Sequence, residues 1–164
     1  MMVRWFLTRA LSVVLLSVGL IGVSAPAQAA TCQWVQPGGP HTRYEYCSGV
    51  NSYYTGSQFT QGETSFYPDP VNDNPSIYLS GRLADIAADT FCTKIRFKST
   101  NNQWPDGNTV SDPDWKVCGN GSSKVIGIMV DDAYTYSGSK IEFQHCRDSN
   151  VGWICKTFFT RTIP

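Results

Sequence analysis

The sequence predicts an α+β domain dominated by antiparallel β-sheet, either a small sandwich or a sheet with one packed helix, stabilised by disulfides. Three observations carry this expectation. Six cysteines follow a cleavable leader; short segments rich in Tyr, Phe, Thr and Val alternate with Gly, Pro and Asn; and a single stretch has helical periodicity.

The leader comes first. Arg4 and Arg9 flank the start of an apolar run, Leu11 to Val23, that is too short to span a bilayer, and Ala27 and Ala29 occupy the places a signal peptidase reads. Residues 1–29 are thus expected to be a signal peptide, leaving one secreted domain, residues 30–164. A chain of that size can bury a core of its own, yet is small enough for cross-links to matter. Removing Arg4 and Arg9 leaves 11 basic against 13 acidic residues, a net charge of −2. Such a balance gives no reason to expect nucleic acid or an anionic membrane surface as a partner, and no later apolar run is long enough for membrane insertion.

In chain order, "CQWVQPGGPHTRYEYC" predicts two strands around Pro37-Gly38-Gly39-Pro40, with Cys32 and Cys47 meeting at the open end. "SYYTGSQFTQGETSFY" continues in strand composition, and the prolines of residues 68–75 predict a loop. "SGRLADIAADTFC" predicts the helix: Ser80 can cap it, and Leu83, Ile86, Ala87, Thr90 and Phe91 recur at helical spacing. "TKIRFKS" alternates as a half-buried strand, whereas "KVIGIMV", apolar on both faces, predicts a buried central strand. "KIEFQHC" and "GWICKTFF" predict a closing hairpin.

In that hairpin, a turn at Ser149-Asn150-Val151-Gly152 sets Cys146 opposite Cys155. Strand parity then pairs Arg147 with Ile154, Gln144 with Thr157, Phe143 with Phe158, Glu142 with Phe159 and Ile141 with Thr160. The disulfide falls on the more polar face. A rival connectivity comes from resemblance. "AADTFCTKIRFKS" resembles the helix-borne cysteine segment of scavenger-receptor cysteine-rich domains, "CRDSNVGWIC" their closing pair, and "GWICK" the end of C-type lectin-like domains. In both families the last cysteine bonds to the helix cysteine, which implies Cys92 with Cys155. The lectin tripeptides "EPN" and "WND" are absent, and the Cys92 to Cys118 interval is short for that pattern. Sequential pairing, with Cys92 joined to Cys118, is therefore the favoured of the two.

That bridge would close a polar stretch of about 25 residues, long enough to suggest function. Within it, Trp104 and Trp115 stand among Asp106, Asn108, Asp112 and Asp114. Flat indoles can stack on the C–H faces of sugar rings while amide and carboxylate oxygens accept from hydroxyls. The same tryptophans could instead fold beneath the loop as a satellite core. No cofactor is expected. The cysteines are too scattered for zinc, and Asp69, Asp73 and Asn74, or the loop acids, offer oxygens to calcium without the spacing of a calcium loop.

His41 and His145 are the only histidines, neither in a catalytic motif, and no G-x-S-x-G elbow occurs. The leading expectation is a secreted non-enzymatic binding module, whose partner is a glycan or an extracellular protein. A secreted hydrolase is the alternative; it would need Asp106, Asp112, Asp114, Asp131, Asp132 or Glu142 to converge in one cleft. A secreted inhibitor or effector acting on a protein is a further one.

Overall fold

The computed structural model describes residues 29–38, 43–68, 75–131 and 134–164. The expected leader up to Gln28, Gly39, Pro40 and His41 of the first turn, the calcium candidates Asp69, Asp73 and Asn74, and Asp132 lie outside the described residues.

Two antiparallel sheets stack as a sandwich. The first contains β1 (Thr31–Val35), β2 (Tyr44–Ser48), β3 (Ser52–Tyr54), β4 (Ser57–Tyr67), β5 (Ser76–Asp85) and β9 (Ser123–Val130). Its order is β1-β2-β4-β5-β9, with β3 added to β4. The second contains β6 (Cys92–Thr100), β7 (Asn108–Val110), β8 (Lys116–Cys118), β10 (Lys140–Arg147) and β11 (Ile154–Thr162). There the order is β11-β10-β6-β7, with β8 added to β6. Between the sheets lie Phe59, Phe66, Ile77, Leu79, Leu83, Ile95, Phe97, Ile126, Ile128, Ile141 and Phe143. They occupy alternate positions of their strands, as a face of period two requires.

The expected helix is absent: among the described residues there is no α-helix, and Pro113–Trp115 forms a 3-10 turn. Residues Ser80–Asp85 instead finish β5, where Ile77, Leu79, Gly81 and Leu83 face the core in strict alternation. That period was hidden because Gly81 occupies one inward position. A Cβ there would sit 2.3 Å from Cζ of Phe59, so the absent side chain is the space that Phe59 fills. Beyond β5, the carboxylates of Asp85 and Asp89 accept from the amides of Ala87 and Phe91, local turns that compete with helix. Gly81→Ala is expected to cost about 1–3 kcal/mol through overpacking, measured by thermal melting; an unchanged melting temperature would refute the close packing of Phe59.

"KVIGIMV" is likewise not central. As β9 it ends the first sheet, and Val125 and Met129 are 64% and 59% exposed on its outer face. Its outward apolar residues border an aromatic surface instead of a second buried layer: Met129 stands opposite Tyr78, whose ring lies across Gly127.

All three disulfides are sequential: Cys32–Cys47, Cys92–Cys118 and Cys146–Cys155. Each joins residues directly opposite in a strand pair, so each is a rung of a ladder. Three such bonds belong to an oxidising, extracellular type of environment. In the closing hairpin Arg147–Ile154, Cys146–Cys155 and Gln144–Thr157 pair as the parity requires. A bulge between Phe143 and Gln144 then shifts the register, so Phe143 faces Phe159, Glu142 faces Thr160 and Ile141 faces Arg161. One extra residue on β11 moves the remaining partners by one, which strand parity alone does not reveal. Among the described residues no helix is long and apolar enough to cross a membrane.

Candidate functional site

The loop closed by Cys92 and Cys118 is better ordered than its sequence suggests, since it contains β7, the 3-10 turn and β8. Both tryptophans are half-buried. Trp104 packs on Tyr134 with ring centroids 5.3 Å apart, Tyr134 meets Phe97 edge-on at 5.2 Å, and Phe97 meets Trp115 at 6.2 Å. The four rings form one chain leading into the core. The polar candidates hold turns and pairs. Asp112 caps the 3-10 turn by accepting from the Asp114 amide at 2.7 Å, and Asp114 binds Lys124 at 3.0 Å. Asp106 is exposed, and Asn108 opens β7. Asp112 also lines a groove of about 310 Å3 with Lys94, Ser111, Pro113, Lys116 and Trp153. Of the other carboxylates weighed for hydrolysis, Glu142 pairs with Lys140 and Asp131 is half-buried after β9. Among the described residues, no group of three or more His, Cys, Asp or Glu side chains is arranged to hold a metal ion.

At the β3–β4 end of the sandwich the core turns polar. His145 and Arg147 share the inward face of β10 with Ile141 and Phe143. The imidazole of His145 is fully buried. Its Nε2 lies 3.0 Å from Oγ of Ser57 and 2.9 Å from Oγ1 of Thr93, and its Nδ1 lies 3.1 Å from Oγ of Ser52. Ser57 and Thr93 already donate their hydroxyl protons to the carbonyls of Tyr54 and Cys146. They therefore accept from an Nε2–H, and Nδ1 accepts from Ser52, which makes a neutral imidazole fully satisfied. Burial, with the nearby Arg147 charge second, pushes the His145 pKa down to about 4. Sealed from solvent and bonded to Ser52 and Ser57 of one sheet and Thr93 of the other, this histidine ties the two sheets together.

Arg147 completes this clasp. Its two terminal nitrogens donate to Asp85 at 2.6 Å and Asp89 at 2.5 Å, linking β10 to the end of β5 and the segment after it. Above the pair opens a pocket of about 220 Å3 lined by Tyr54, Asp89, Phe91, Arg147, Asp148 and Ile154. The sequence signal for both residues was their parity with Phe143, which places them inside.

The outer face of the first sheet carries a different constellation. Gln33, Tyr46, Ser65, Tyr78 and Met129 form one cross-strand row over β1, β2, β4, β5 and β9. Tyr44 and Tyr67 stack in the adjoining row with centroids 5.1 Å apart and planes at 28°. Tyr67 and Tyr78 are 36% and 44% exposed. A hydrogen bond to Glu63 holds Tyr46 in its phenol form and raises its pKa, with burial adding to the effect. Tyr46 and Tyr78 stand two strand spacings apart, about 10 Å. No protein-family model and no curated protein matches this chain.

Proposed function

We propose that the protein is a secreted, non-enzymatic binding module whose ligand is a carbohydrate. The supporting observation is the tyrosine face: Tyr44, Tyr46, Tyr67 and Tyr78 project from one side of a sheet between Gln33, Ser65 and Glu63. Phenol rings offer apolar faces to sugar C–H groups, and their hydroxyls, with the neighbouring Ser, Gln and Glu oxygens, bond to sugar hydroxyls. The spacing of Tyr46 and Tyr78 suits a chain of at least two sugar units. A rigid sheet holds the rings before ligand arrives, which limits the ordering cost of binding. The aromatic, Asn/Asp-rich loop is a second locus, favoured by the groove that Asp112 lines with Ser111 and Trp153.

A glycan array of neutral polysaccharides tests the reading. Retention on at least one neutral glycan is expected, with affinity reduced tenfold or more in Tyr46→Ala/Tyr78→Ala, equivalent to about 1.4 kcal/mol. Absence of retention on every neutral glycan would reject it. Retention that survives the tyrosine changes but fails in Trp153→Ala would move the site to the loop groove.

A further inference from the structure

The opposite side of the sandwich carries a row of basic residues. Along the outer face of β6, Lys94, Arg96 and Lys98 occur at every second position, about 7 Å apart. Lys116 on β8 stands directly opposite Lys94. Like charges facing each other in an antiparallel pair are destabilising, so this arrangement does not serve the fold. The Lys94 pKa is lowered by burial first, and then by Arg96 and Lys116. Asp148 acts on it in the other sense. The Lys94 ammonium lies 4.1 Å from the ring centroid of Trp153, and both residues line the groove with Ser111, Asp112 and Lys116. Arg96 is held by Gln144 at 2.8 Å, a neutral partner that leaves its charge uncompensated.

We propose that this face binds an acidic polysaccharide, with one anionic sugar unit seated in the groove between Lys94, Lys116, Trp153, Ser111 and Asp112. The two lysines meet the carboxylate or sulfate, Trp153 supplies an apolar wall for the ring, and Ser111 and Asp112 bond to ring hydroxyls. Arg96 follows the chain along β6 as far as Lys98, which Glu142 faces across the β6–β10 pair. Charge complementarity selects an anion; the tryptophan and the hydroxyl-binding oxygens select a sugar. The Asp112 carboxylate disfavours a polymer as densely charged as polyphosphate. The groove is the second locus named above, now given an anionic ligand; the tyrosine face and its neutral glycan are separate from it.

Calorimetric titration of the disulfide-intact chain with polygalacturonate tests it, alongside polyglutamate, inorganic polyphosphate and a neutral glucan. Polygalacturonate is expected to bind at low salt and to weaken more than tenfold at high salt. It is also expected to weaken more than tenfold in Lys94→Gln/Lys116→Gln and in Lys116→Gln alone by a smaller factor. Polyglutamate should bind at least tenfold more weakly than polygalacturonate, and Tyr46→Ala/Tyr78→Ala should leave polygalacturonate affinity unchanged. The lysine variants remove a repulsion, so their melting temperatures should equal or exceed that of the wild type. No polygalacturonate binding at low salt, equal affinity for polyglutamate, preference for polyphosphate, or indifference to the lysine changes would each overturn the proposal. Loss of neutral-glucan binding alone would count against the tyrosine face and leave this one standing.

Discussion

Arg147→Ala is expected to destabilise the fold by about 3–5 kcal/mol, because it leaves the carboxylate of Asp85 buried without its cation. Asp85 is fully buried, and one of its oxygens, Oδ2, has no hydrogen-bond partner among the described residues even with Arg147 in place. Removing the guanidinium therefore leaves the charge with only the long 3.4 Å bond from the Ala87 amide. Asp89, partly exposed, loses less because water can replace its partner. For a domain of this size the melting temperature should fall by more than about 10 °C. A second variant separates the pair's net worth from the penalty of breaking it. Asp85→Leu/Arg147→Met replaces both charges by apolar groups and should recover most of the loss, since buried ion pairs contribute little beyond such replacements. Thermal melts with the disulfides intact measure both. A loss below about 1 kcal/mol in Arg147→Ala would show that the clasp does not hold the sheets together.

Acid should weaken the same end of the molecule through His145. Its folded pKa of about 4 lies below the ordinary value of about 6.5, so the unfolded chain takes up the proton more readily. The sign follows: stability from the neutral imidazole is fully present above pH 6.5 and is lost as pH falls from there through 4. The difference amounts to about 3 kcal/mol across that window. Denaturant unfolding at pH 7, 5.5 and 4 should show this decline in the wild type. His145→Asn, which does not titrate, should be less stable at pH 7 yet flatter over the same range. The comparison isolates the imidazole from carboxylates that take up protons near pH 4. Equal slopes for the two proteins would show that His145 titrates as if exposed.

Both predictions concern residues whose importance was only half legible. Strand parity in "KIEFQHCR" places His145 and Arg147 on the inward side with Phe143, yet parity cannot say what meets them there. Their partners are 52 to 93 residues away in the chain: Ser52, Ser57, Asp85 and Thr93. The tyrosine face was hidden for the same reason. Tyr44 and Tyr46, two residues apart on β2, announce a common side, but Tyr67 and Tyr78 join them only through the order β2-β4-β5. The loop tryptophans were visible as aromatics in polar surroundings. That Tyr134 takes part of Trp104 and Phe97 part of Trp115 depends on where the segment after β9 returns.

By itself the sequence determined what acts locally: the strand-rich class, the Cys32–Cys47 pair, the turn at Ser149–Gly152 and the inward parity of β10. These depend on cysteine spacing, turn chemistry and a two-residue period, all readable within a short window. The choice between the two connectivities of the other four cysteines was settled by the fold. The tertiary structure decided the rest. It turned the first half of the apparent helix, Ser80–Asp85, into the end of β5, with Phe59 in the space left by Gly81, and left Ile86–Phe91 as bends. It set β9 at an edge, shifted the final hairpin by one residue at the Phe143–Gln144 bulge, and assembled the neutral and basic faces on opposite sides of the sandwich. Each of these depends on which strand lies beside which, and burial against a distant neighbour outweighs local propensity when the two disagree.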